Sequence, residues 1–392
     1  MAAILVSVLI ECCLPDIYSP VLTHKRGQGV LMQVTVEQVQ AALQQVVDAN
    51  TGKDLVSTKS ARNIKIDGGV VSLEVELGYP AKSQLEPMRK RVEAALSALP
   101  GVSAVKAEVV SRISPHGAPG GAKPVPGVKN IIAVASGKGG VGKSTTAVNL
   151  ALALSAEGAK VGILDADIYG PSQPMMLGLS GKPDVVDNKV VPKERHGVRL
   201  NSIGFFVEAD NPVVWRAPIA TQYLEQLLRE TAWGDLDYLI VDMPPGTGDI
   251  QLTLAQKVPV TGAIIVTTPQ DIALMDARKG LKMFEKVNIP ILGVVENMSL
   301  HICSKCGHEE DIFGSGGGDR MAKDYGIDLL GSLPLDIKIR EQADSGRPTV
   351  VADPDGRAAE IYRQIARRVA VKIAEKQQDH SAAFPKIVVQ NT

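Results

Sequence analysis

The segment GKGGVGKST at residues 137–145 constrains the fold of this chain more than any other. It fits the phosphate-loop pattern GxxxxGK[ST], and it stands between an apolar run typical of a buried strand and a stretch, 143–157, that is typical of a helix. Its glycines let backbone N–H groups converge on phosphate oxygens, and the helix N-terminus adds a partial positive charge. We therefore expect Lys143 to bind the β- and γ-phosphates of a nucleotide and Ser144 to bind Mg²⁺.

A second lysine, Lys138, lies five residues before Lys143 in the same loop. From there its side chain is poorly placed for the γ-phosphate of its own subunit, but it could reach a nucleotide in a facing subunit, where an added cation stabilises phosphoryl transfer. The alternative is an ordinary solvated lysine, and the spacing alone does not decide between them. The expected nucleotide contacts within the loop are Gly137, Lys138, Gly139, Gly140, Val141, Gly142, Lys143, Ser144 and Thr145.

Strand and helix patterns alternate from Lys129 onward. This alternation predicts βαβ crossovers and hence an α/β fold with a doubly wound, mostly parallel sheet of the P-loop NTPase type. Aromatic residues are only 4% of the chain, so small and aliphatic side chains must fill the core, which suits a parallel sheet covered by helices. The predicted strands after the first are KVGILD, LDYLIVD, GAIIVTT, PILGVVEN and DLLGSLP.

The region before the loop predicts a small α+β domain of order α-β-β-α-β. Helices are expected at 34–49 and 83–98, with a hairpin turn at Asp67-Gly68-Gly69 between the first two strands. Residues 1–31 show no pattern, and we interpret them as an extension or as the result of a start codon placed upstream of Met32. The expected divisions of the chain are 1–31, the small domain at 32–111, a Pro/Gly linker at 112–127, the P-loop domain at 128–375 and a loose tail at 376–392.

Charge and hydropathy restrict the possible partners. Lys and Arg number 42 against 43 Asp and Glu, a net charge of −1, which gives no overall attraction to nucleic acid or to an anionic membrane. No apolar run reaches the ~18–20 residues of a membrane span, and the opening MAAILVSVLI lacks the basic region of a signal peptide. We therefore expect a cytoplasmic protein that binds neither nucleic acid nor membrane.

Two of the four cysteines, Cys303 and Cys306, form a CxxC motif. Four interpretations are open: a zinc site completed by His301 or His308, a redox dithiol, an inert pair, or a metal or cluster site completed by the same pair in a second subunit. The motif does not open a helix of a thioredoxin-like unit, which disfavours the dithiol. A dimer in which Lys138 acts across the interface would also bring two cysteine pairs to one symmetry axis.

The loop resembles the deviant Walker A motif of MinD/ParA-like ATPases, a family that includes the nitrogenase iron protein. In that family the early lysine acts across an ATP-bridged homodimer, which implies this role for Lys138. Aspartates also end two predicted strands, in LDADIYGPS and YLIVDMPPGTGD, where open α/β sheets bind ligands. The resemblance implies that Asp165 and Asp242 hold Mg²⁺, that Asp167 orients the attacking water, and that Asn297 of VVENM reads adenine.

A more specific resemblance covers residues 128–370, where runs such as VENMSLHICSKCGHEEDIFGSGGG are similar to the Mrp/ApbC family of iron–sulfur cluster carriers. Residues 33–111 resemble the small domain of iron–sulfur assembly factors. The resemblance implies a homodimeric MgATP-binding ATPase with a [4Fe–4S] cluster bridged by Cys303 and Cys306 of both subunits. Slow hydrolysis would control release of the cluster, which scaffold proteins would supply and apoproteins would receive.

Two rival functions and one departure from the family pattern accompany this interpretation. The rivals are a MinD/ParA-like partitioning or scaffold ATPase and an ATP-dependent iron–sulfur reductase. The scaffold would leave the CxxC motif unexplained, and the nitrogenase-type reductase uses two separated single cysteines per chain. The small domain lacks a cysteine in the stretches VDANTG and GYPAKSQ, where the family often carries one, so a docking role is open to it rather than cluster handling.

Overall fold

The computed structural model of this protein describes residues 33–117, 122–206, 217–303 and 305–380. The predictions for residues 1–31 lie outside these residues, as does the part of the predicted tail from 381 onward.

The small domain consists of a three-stranded sheet with two helices. Its sheet has the order β3-β4-β5, with β3 and β4 antiparallel and β5 parallel to β4. The hairpin turns at Gly68-Gly69, both at positive φ, as the sequence predicts. The elements are α1 (Val36–Leu43), β1 (Val47–Asp48), β2 (Lys53–Asp54), β3 (Ala61–Asp67), β4 (Val70–Leu77), α2 (Lys82–Ser97) and β5 (Ala104–Ser111).

The first helix is shorter than the predicted 34–49, because α1 ends at Leu43. The residues DANTG that follow are turn formers: the Asp48 carboxylate accepts the Asn50 N–H at 3.0 Å, and Gly52 has φ +67°. This turn joins β1 to β2 as an antiparallel pair. Val47, which falls within the predicted helix, lies instead in β1 and is 45% exposed.

The P-loop domain contains the remaining elements. They are β6 (Val128–Ala135), α3 (Lys143–Ala156), β7 (Val161–Asp165), α4 (Gln173–Met176), β8 (Val185–Val186), β9 (Lys189–Val190), β10 (Lys193–Arg195), β11 (Val198–Ser202), α5 (Ala217–Glu230), β12 (Leu236–Asp242), α6 (Asp249–Lys257), β13 (Gly262–Thr267), α7 (Asp271–Lys286), β14 (Ile291–Glu296), β15 (His301–Ile302), β16 (Glu309–Glu310), α8 (Gly317–Tyr325), β17 (Leu329–Ser332), α9 (Ile337–Asp344), α10 (Thr349–Ala352) and α11 (Arg357–His380).

Among the described residues, eight strands form the main sheet in the order β10-β11-β7-β12-β6-β13-β14-β17. Every neighbouring pair is parallel except β10 and β11 at one edge, which confirms the mostly parallel sheet. Successive residues of β6 face opposite sides: Ile132 and Val134 join the core around α3 and α11, whereas Ile131 and Ala133 join the core around α5 to α8. The sheet is thus covered on both faces, as a doubly wound fold requires.

Helix α3, which the phosphate loop opens, is buried along most of its length, from Thr146 to Leu154. It packs between the sheet and α11, and the same apolar cluster continues into the small domain. Just after the helix, Glu157 is 2% exposed and accepts hydrogen bonds from Ser83 of α2 and from Arg367 of α11. The phosphate-loop helix therefore ends in a polar contact with the small domain.

Helix α11 continues to His380, five residues into the predicted loose tail. The run from Glu375 to His380 contains neither Pro nor Gly, so nothing in it stops the helix. No helix in the part of the chain that the structure describes is long and apolar enough to cross a membrane.

Candidate functional site

The phosphate loop lies between the end of β6 and the start of α3, the context that the motif requires. Gly140 and Gly142 have φ of +82° and +83°, a conformation that L side chains rarely adopt. Gly137 is required for a different reason, since a Cβ there would lie 2.1 Å from the carbonyl carbon of Asp276 in α7. The spacing of the glycines thus follows from backbone shape and from close packing of α7 on the loop.

A cavity of about 460 Å³ opens above the loop, within the usual size range of small-molecule sites. The predicted site residues that line it are Lys138, Gly139, Gly140, Gly142, Lys143, Ser144, Thr145, Asp167 and Asn297. Pro334, Leu335 and Asp336 also line it, as does one side of α9 from Ile339 to Asp344. Four residues predicted for the nucleotide and Mg²⁺ do not line the cavity: Gly137, Val141, Asp165 and Asp242.

Lys143 is 5% exposed and is held by several polar groups beneath the cavity. Its Nζ lies 2.5 Å from Asp242 Oδ1, 3.0 Å from Ser144 Oγ and 3.5 Å from Asp167 Oδ2. Burial by itself lowers the pKa of Lys143, but the Asp242 and Asp167 carboxylates outweigh burial and raise that pKa. The Lys143 ammonium group is therefore charged, and its contacts with Asp242 and Asp167 fix its position.

The strand-end carboxylates lie close together, as their positions predict. Asp165 is fully buried and accepts hydrogen bonds from Ser202 Oγ at 3.0 Å and from the Gln173 N–H at 3.1 Å. Burial and the neighbouring Asp242 raise the pKa of Asp165 to about 8. Burial also raises the pKa of Asp167, against the opposing effect of Lys143.

This carboxylate cluster fits a divalent cation. Asp165, Asp167 and Asp242 face one ammonium group, that of Lys143, and Asp167 Oδ1 is buried with no hydrogen-bond partner in the described residues. Carboxylate and hydroxyl oxygens, the latter from Ser144, are the ligands that Mg²⁺ prefers. The donor set present is thus the one that Mg²⁺ with a nucleotide phosphate needs.

Two further residues of the site were not predicted from the sequence. Gln173, fully buried at the start of α4, donates from Nε2 to the Ser144 carbonyl oxygen at 3.0 Å and to Asp242 Oδ2 at 2.8 Å. Ser202, at the end of β11, holds Asp165. For Gln173 the available signal was its place shortly after Asp165 in DIYGPSQP, whereas Ser202 lies at the end of β11, which is outside the predicted strands.

Asn297 and Lys138 occupy different parts of the cavity wall. The Asn297 side chain donates to the Val141 carbonyl oxygen at 2.9 Å, which fixes it against the loop. Lys138 is half-buried on the cavity edge, and no carboxylate in the described residues forms an ion pair with its ammonium group. The Lys138 side chain is therefore not committed to a partner within the described chain.

The cysteine pair lies at the tip of a short hairpin formed by β15 and β16. The Cys303 N–H donates to the His308 carbonyl oxygen at 2.9 Å, and the Gly307 N–H donates to the Cys303 carbonyl oxygen at 2.9 Å. Cys303 is half-buried, Cys306 is exposed, and both are free thiols. Backbone hydrogen bonds from Lys305 and Cys306 lower the pKa of Cys303, which favours the thiolate that binds metals.

The two nearby histidines do not complete a metal site with these thiols. His301 Nδ1 is 3.1 Å from the Leu335 carbonyl oxygen, and His308 is exposed with Nε2 3.5 Å from Glu310. Around the cysteine pair, no third His, Cys, Asp or Glu side chain of the described residues joins the two thiols in a group that could hold a metal ion. The described chain thus offers two thiolates where a structural zinc or a [4Fe–4S] cluster takes about four ligands.

Comparison with known proteins gives two family matches. A model described as the NUBPL iron-transfer P-loop NTPase, of the ParA group, matches residues 127–370, and a model for an iron–sulfur cluster assembly protein matches residues 36–109.

Individual relatives agree with these matches. The iron–sulfur cluster carrier protein of Pseudomonas fragi is 60% identical over 278 residues, which cover 70% of this chain and 97% of that protein. The carrier protein of Haemophilus influenzae is 50% identical over 86% of this chain and 91% of its own length. The mouse iron–sulfur cluster transfer protein NUBPL is 52% identical over 64% of this chain and 80% of its own length.

Among solved structures, a nucleotide-binding protein from Archaeoglobus fulgidus in complex with ADP is similar to this chain. It has a TM-score of 0.52 and 38% identity, and the match covers 58% of this chain and 90% of that one.

Proposed function

The chain belongs to the iron–sulfur cluster carrier family of ParA-type P-loop NTPases, and from that premise we propose that it is a homodimeric ATPase that delivers [4Fe–4S] clusters to apoproteins. The observation that carries the proposal is the cysteine pair at a hairpin tip, with Cys303 half-buried and Cys306 exposed, which offers two ligands where a cluster takes four. A second copy of the chain supplies the missing two thiolates across a twofold axis.

The nucleotide half of the proposal follows from the polar groups under the cavity. Ser144, Asp165 and Asp242 would hold Mg²⁺, which neutralises phosphate charge when it is bound. Lys143 would exchange its contact with Asp242 for the β- and γ-phosphates. Asp167, which lines the cavity, would orient the attacking water, and Asn297 would contact the adenine.

The dimer half of the proposal is supported by the surface around the cavity. Met175 lines the cavity and Met275 adjoins the residue packed on Gly137, yet both are more than half exposed. Lys138 stands at the same edge without an ion-pair partner in the described residues. An apolar surface beside a lysine without an ion-pair partner in the described residues could bind a second copy of the chain, whose bound nucleotide Lys138 would then contact. Other exposed apolar side chains near this surface are Tyr169, Ile272 and Ile337.

The cluster is cargo in this proposal, so its site must also release it. Exposed thiolates on a short hairpin exchange ligands more readily than a buried metal site does. Scaffold proteins would load the cluster and apo iron–sulfur proteins would take it, in the cytoplasm, where a reducing environment keeps such thiols free. ATP binding and hydrolysis would control release if the nucleotide binds the cluster-holding and cluster-releasing arrangements with different affinity.

Anaerobic reconstitution with iron and sulfide tests the cluster. We expect about four iron and four sulfide per dimer with a matching visible spectrum, lost in Cys306→Ala while ATP hydrolysis persists. The double variant Cys12→Ala with Cys13→Ala, which changes cysteines outside the described residues, is the control and should load normally. One tightly held zinc per chain that iron cannot displace would contradict the carrier function and leave an ATPase with a structural metal.

Subunit mixing tests the action of Lys138 across the interface. Lys138→Ala and Asp167→Asn should each lower hydrolysis by at least about 10²-fold. In a mixed dimer, the Lys138→Ala subunit keeps Asp167 and receives Lys138 from its partner, so one of the two sites is complete. Random mixing should therefore restore about one quarter of wild-type hydrolysis. If Lys138 acted within its own subunit, neither site of the mixed dimer would be complete and no activity would return.

A further inference from the structure

A short two-segment ladder joins the nucleotide cavity to the cysteine hairpin. Residues 299–301 run beside residues 333–335, with an isolated parallel bridge between His301 and Leu335. The Ser299 N–H and Oγ both donate to the Leu333 carbonyl oxygen at 3.0 Å, and the Leu335 N–H donates to the Leu300 carbonyl oxygen at 2.8 Å. The two segments are therefore coupled by backbone hydrogen bonds along their length.

One segment of this ladder, residues 333–335, is part of the cavity wall. Leu335 lines the cavity, together with Pro334 before it and Asp336 after it. Asp336 caps α9 through the Lys338 N–H at 2.8 Å, and residues of α9 continue the wall. A nucleotide base in the cavity would therefore press on Leu335 and on the start of α9.

The other segment, residues 299–301, leads directly into the cysteine hairpin. His301 is the first residue of β15, pairs with Glu310 of β16, and lies two residues before Cys303. Its Nδ1 is 3.1 Å from the Leu335 carbonyl oxygen. Since a carbonyl oxygen only accepts, Nδ1 carries the proton and donates it, which makes His301 the side-chain contact that ties the hairpin to the cavity wall.

We propose that His301 is a positioning residue that transmits nucleotide binding at the Leu335 wall to the cysteine loop. The inference rests on the proposed carrier function and supplies its route of control within one chain. A nucleotide that shifts the Leu335 carbonyl group moves the His301 ring, and with it the strand that places Cys303. Because coupling between two sites is reciprocal, a bound cluster changes nucleotide affinity by the same factor as nucleotide changes cluster affinity.

The test measures the thiols without any cluster. In the full-length, cluster-free protein, the alkylation rates of Cys303 and Cys306 are followed by peptide mass spectrometry, with and without a non-hydrolysable MgATP analogue. We expect nucleotide to change these rates in the wild type on the order of 5-fold or more. In His301→Ala the ratio should fall to within about 2-fold of one, while the nucleotide Kd changes less than about 3-fold.

Two variants separate the hydrogen bond from the mere presence of the ring. His301→Asn places an amide N–H near the position of Nδ1 and should restore the nucleotide dependence. His308→Ala changes the exposed histidine of the same loop and should leave it intact. If His301→Ala fails to fold, His301→Leu, which keeps the volume and removes the donor, takes its place.

Wild-type nucleotide dependence in His301→Ala or His301→Leu would overturn the inference, as would an absence of nucleotide dependence in the wild type. Iron loading of the same preparations is measured separately, since a wild type that loads no iron contradicts the carrier function and not the ladder. Loss of thiol response with normal iron loading in His301→Ala is the result that supports both.

Discussion

The nucleotide site and the cysteine loop differ in how much of the chain holds them. Lys143, Asp165 and Asp242 are at most 5% exposed, and each makes several polar contacts with groups from different strands and helices. Cys306 and His308 are exposed on a hairpin whose two strands have two residues each. The first site is built into the core, and the second stands on a loop.

This difference follows from what each site must do with charge. Buried carboxylates and an ammonium are tolerable only when their partners are present in the fold, because an unpaired buried charge costs several kcal/mol. The cysteine loop leaves its thiols to solvent or to a partner, and an exposed ligand pair can be offered to one molecule and then to another. The nucleotide site is therefore held by paired groups from several elements of one chain, whereas the described cysteine loop offers two thiols with few supporting contacts.

Lys143→Ala should produce the largest effect and should separate the two sites. Removing the cation that neutralises transferring phosphate should lower hydrolysis by at least about 10³-fold, measured as kcat from phosphate release. Iron loading should stay near the wild-type value, because the cysteines lie outside the cavity.

The matched control is Lys189→Ala, an exposed lysine of β9, which should hydrolyse ATP normally. Loss of iron loading in nucleotide-free Lys143→Ala would mean that the cysteine loop requires the buried lysine even without a nucleotide, and the contrast between the two regions would fail.

Glu157→Ala should show how much the buried ion pair after the phosphate-loop helix contributes to the free energy of unfolding. Glu157 is 2% exposed and lies 2.6 Å from Arg367, so its removal leaves a buried guanidinium and two Ser83 donors without their acceptor. Arg367 keeps Glu360 at 2.9 Å, and we expect the free energy of unfolding to fall by about 3 kcal/mol, measured by urea denaturation. Glu375→Ala breaks an exposed ion pair to Lys53 between the same two domains and should cost at most about 1 kcal/mol. Equal losses in both variants would contradict the role of burial.

The contrast also explains what could be predicted from the sequence. The phosphate loop was recognisable because its glycines and Lys143 satisfy constraints within nine consecutive residues. The strands of the main sheet were recognisable because burial on both faces requires continuous apolar runs. Asp165 and Asp242 followed, since the carboxyl ends of neighbouring parallel strands meet at one edge.

The remainder depended on contacts between distant segments. Gln173 reaches Asp242 across 69 positions, and Ser202 reaches Asp165 from β11, whose sequence, VRLNS, has no continuous apolar run. The ladder between His301 and Leu335 pairs segments of only a few residues, for which periodicity gives no signal. The early end of α1 was missed because its apolar spacing continues to Val46, although the turn formers that follow Val47 were visible.

Gln173→Leu should test whether Gln173, a residue of the nucleotide site that the sequence did not indicate, contributes to ATP hydrolysis. The change removes two hydrogen bonds and leaves the Ser144 carbonyl oxygen without this donor, so stability should fall by about 1–3 kcal/mol. Hydrolysis should fall about 10-fold, because Asp242 loses the group that orients it. The control Gln226→Ala removes an exposed pair with Glu230 and should change neither quantity. Normal hydrolysis in Gln173→Leu would show that Lys143 alone orients Asp242.

His308→Ala should have the smallest effect, and it tests directly whether the cysteine loop binds metal through its cysteines alone. His308 Nε2 lies 3.5 Å from Glu310, and both side chains are more than half exposed, so the free energy of unfolding should change by less than about 0.5 kcal/mol. Iron per dimer after reconstitution should equal that of the wild type, because the proposed cluster takes its four ligands from cysteines alone. A variant that loses metal while it stays folded would identify His308 as a ligand, and it would contradict the proposed ligand set of four cysteines.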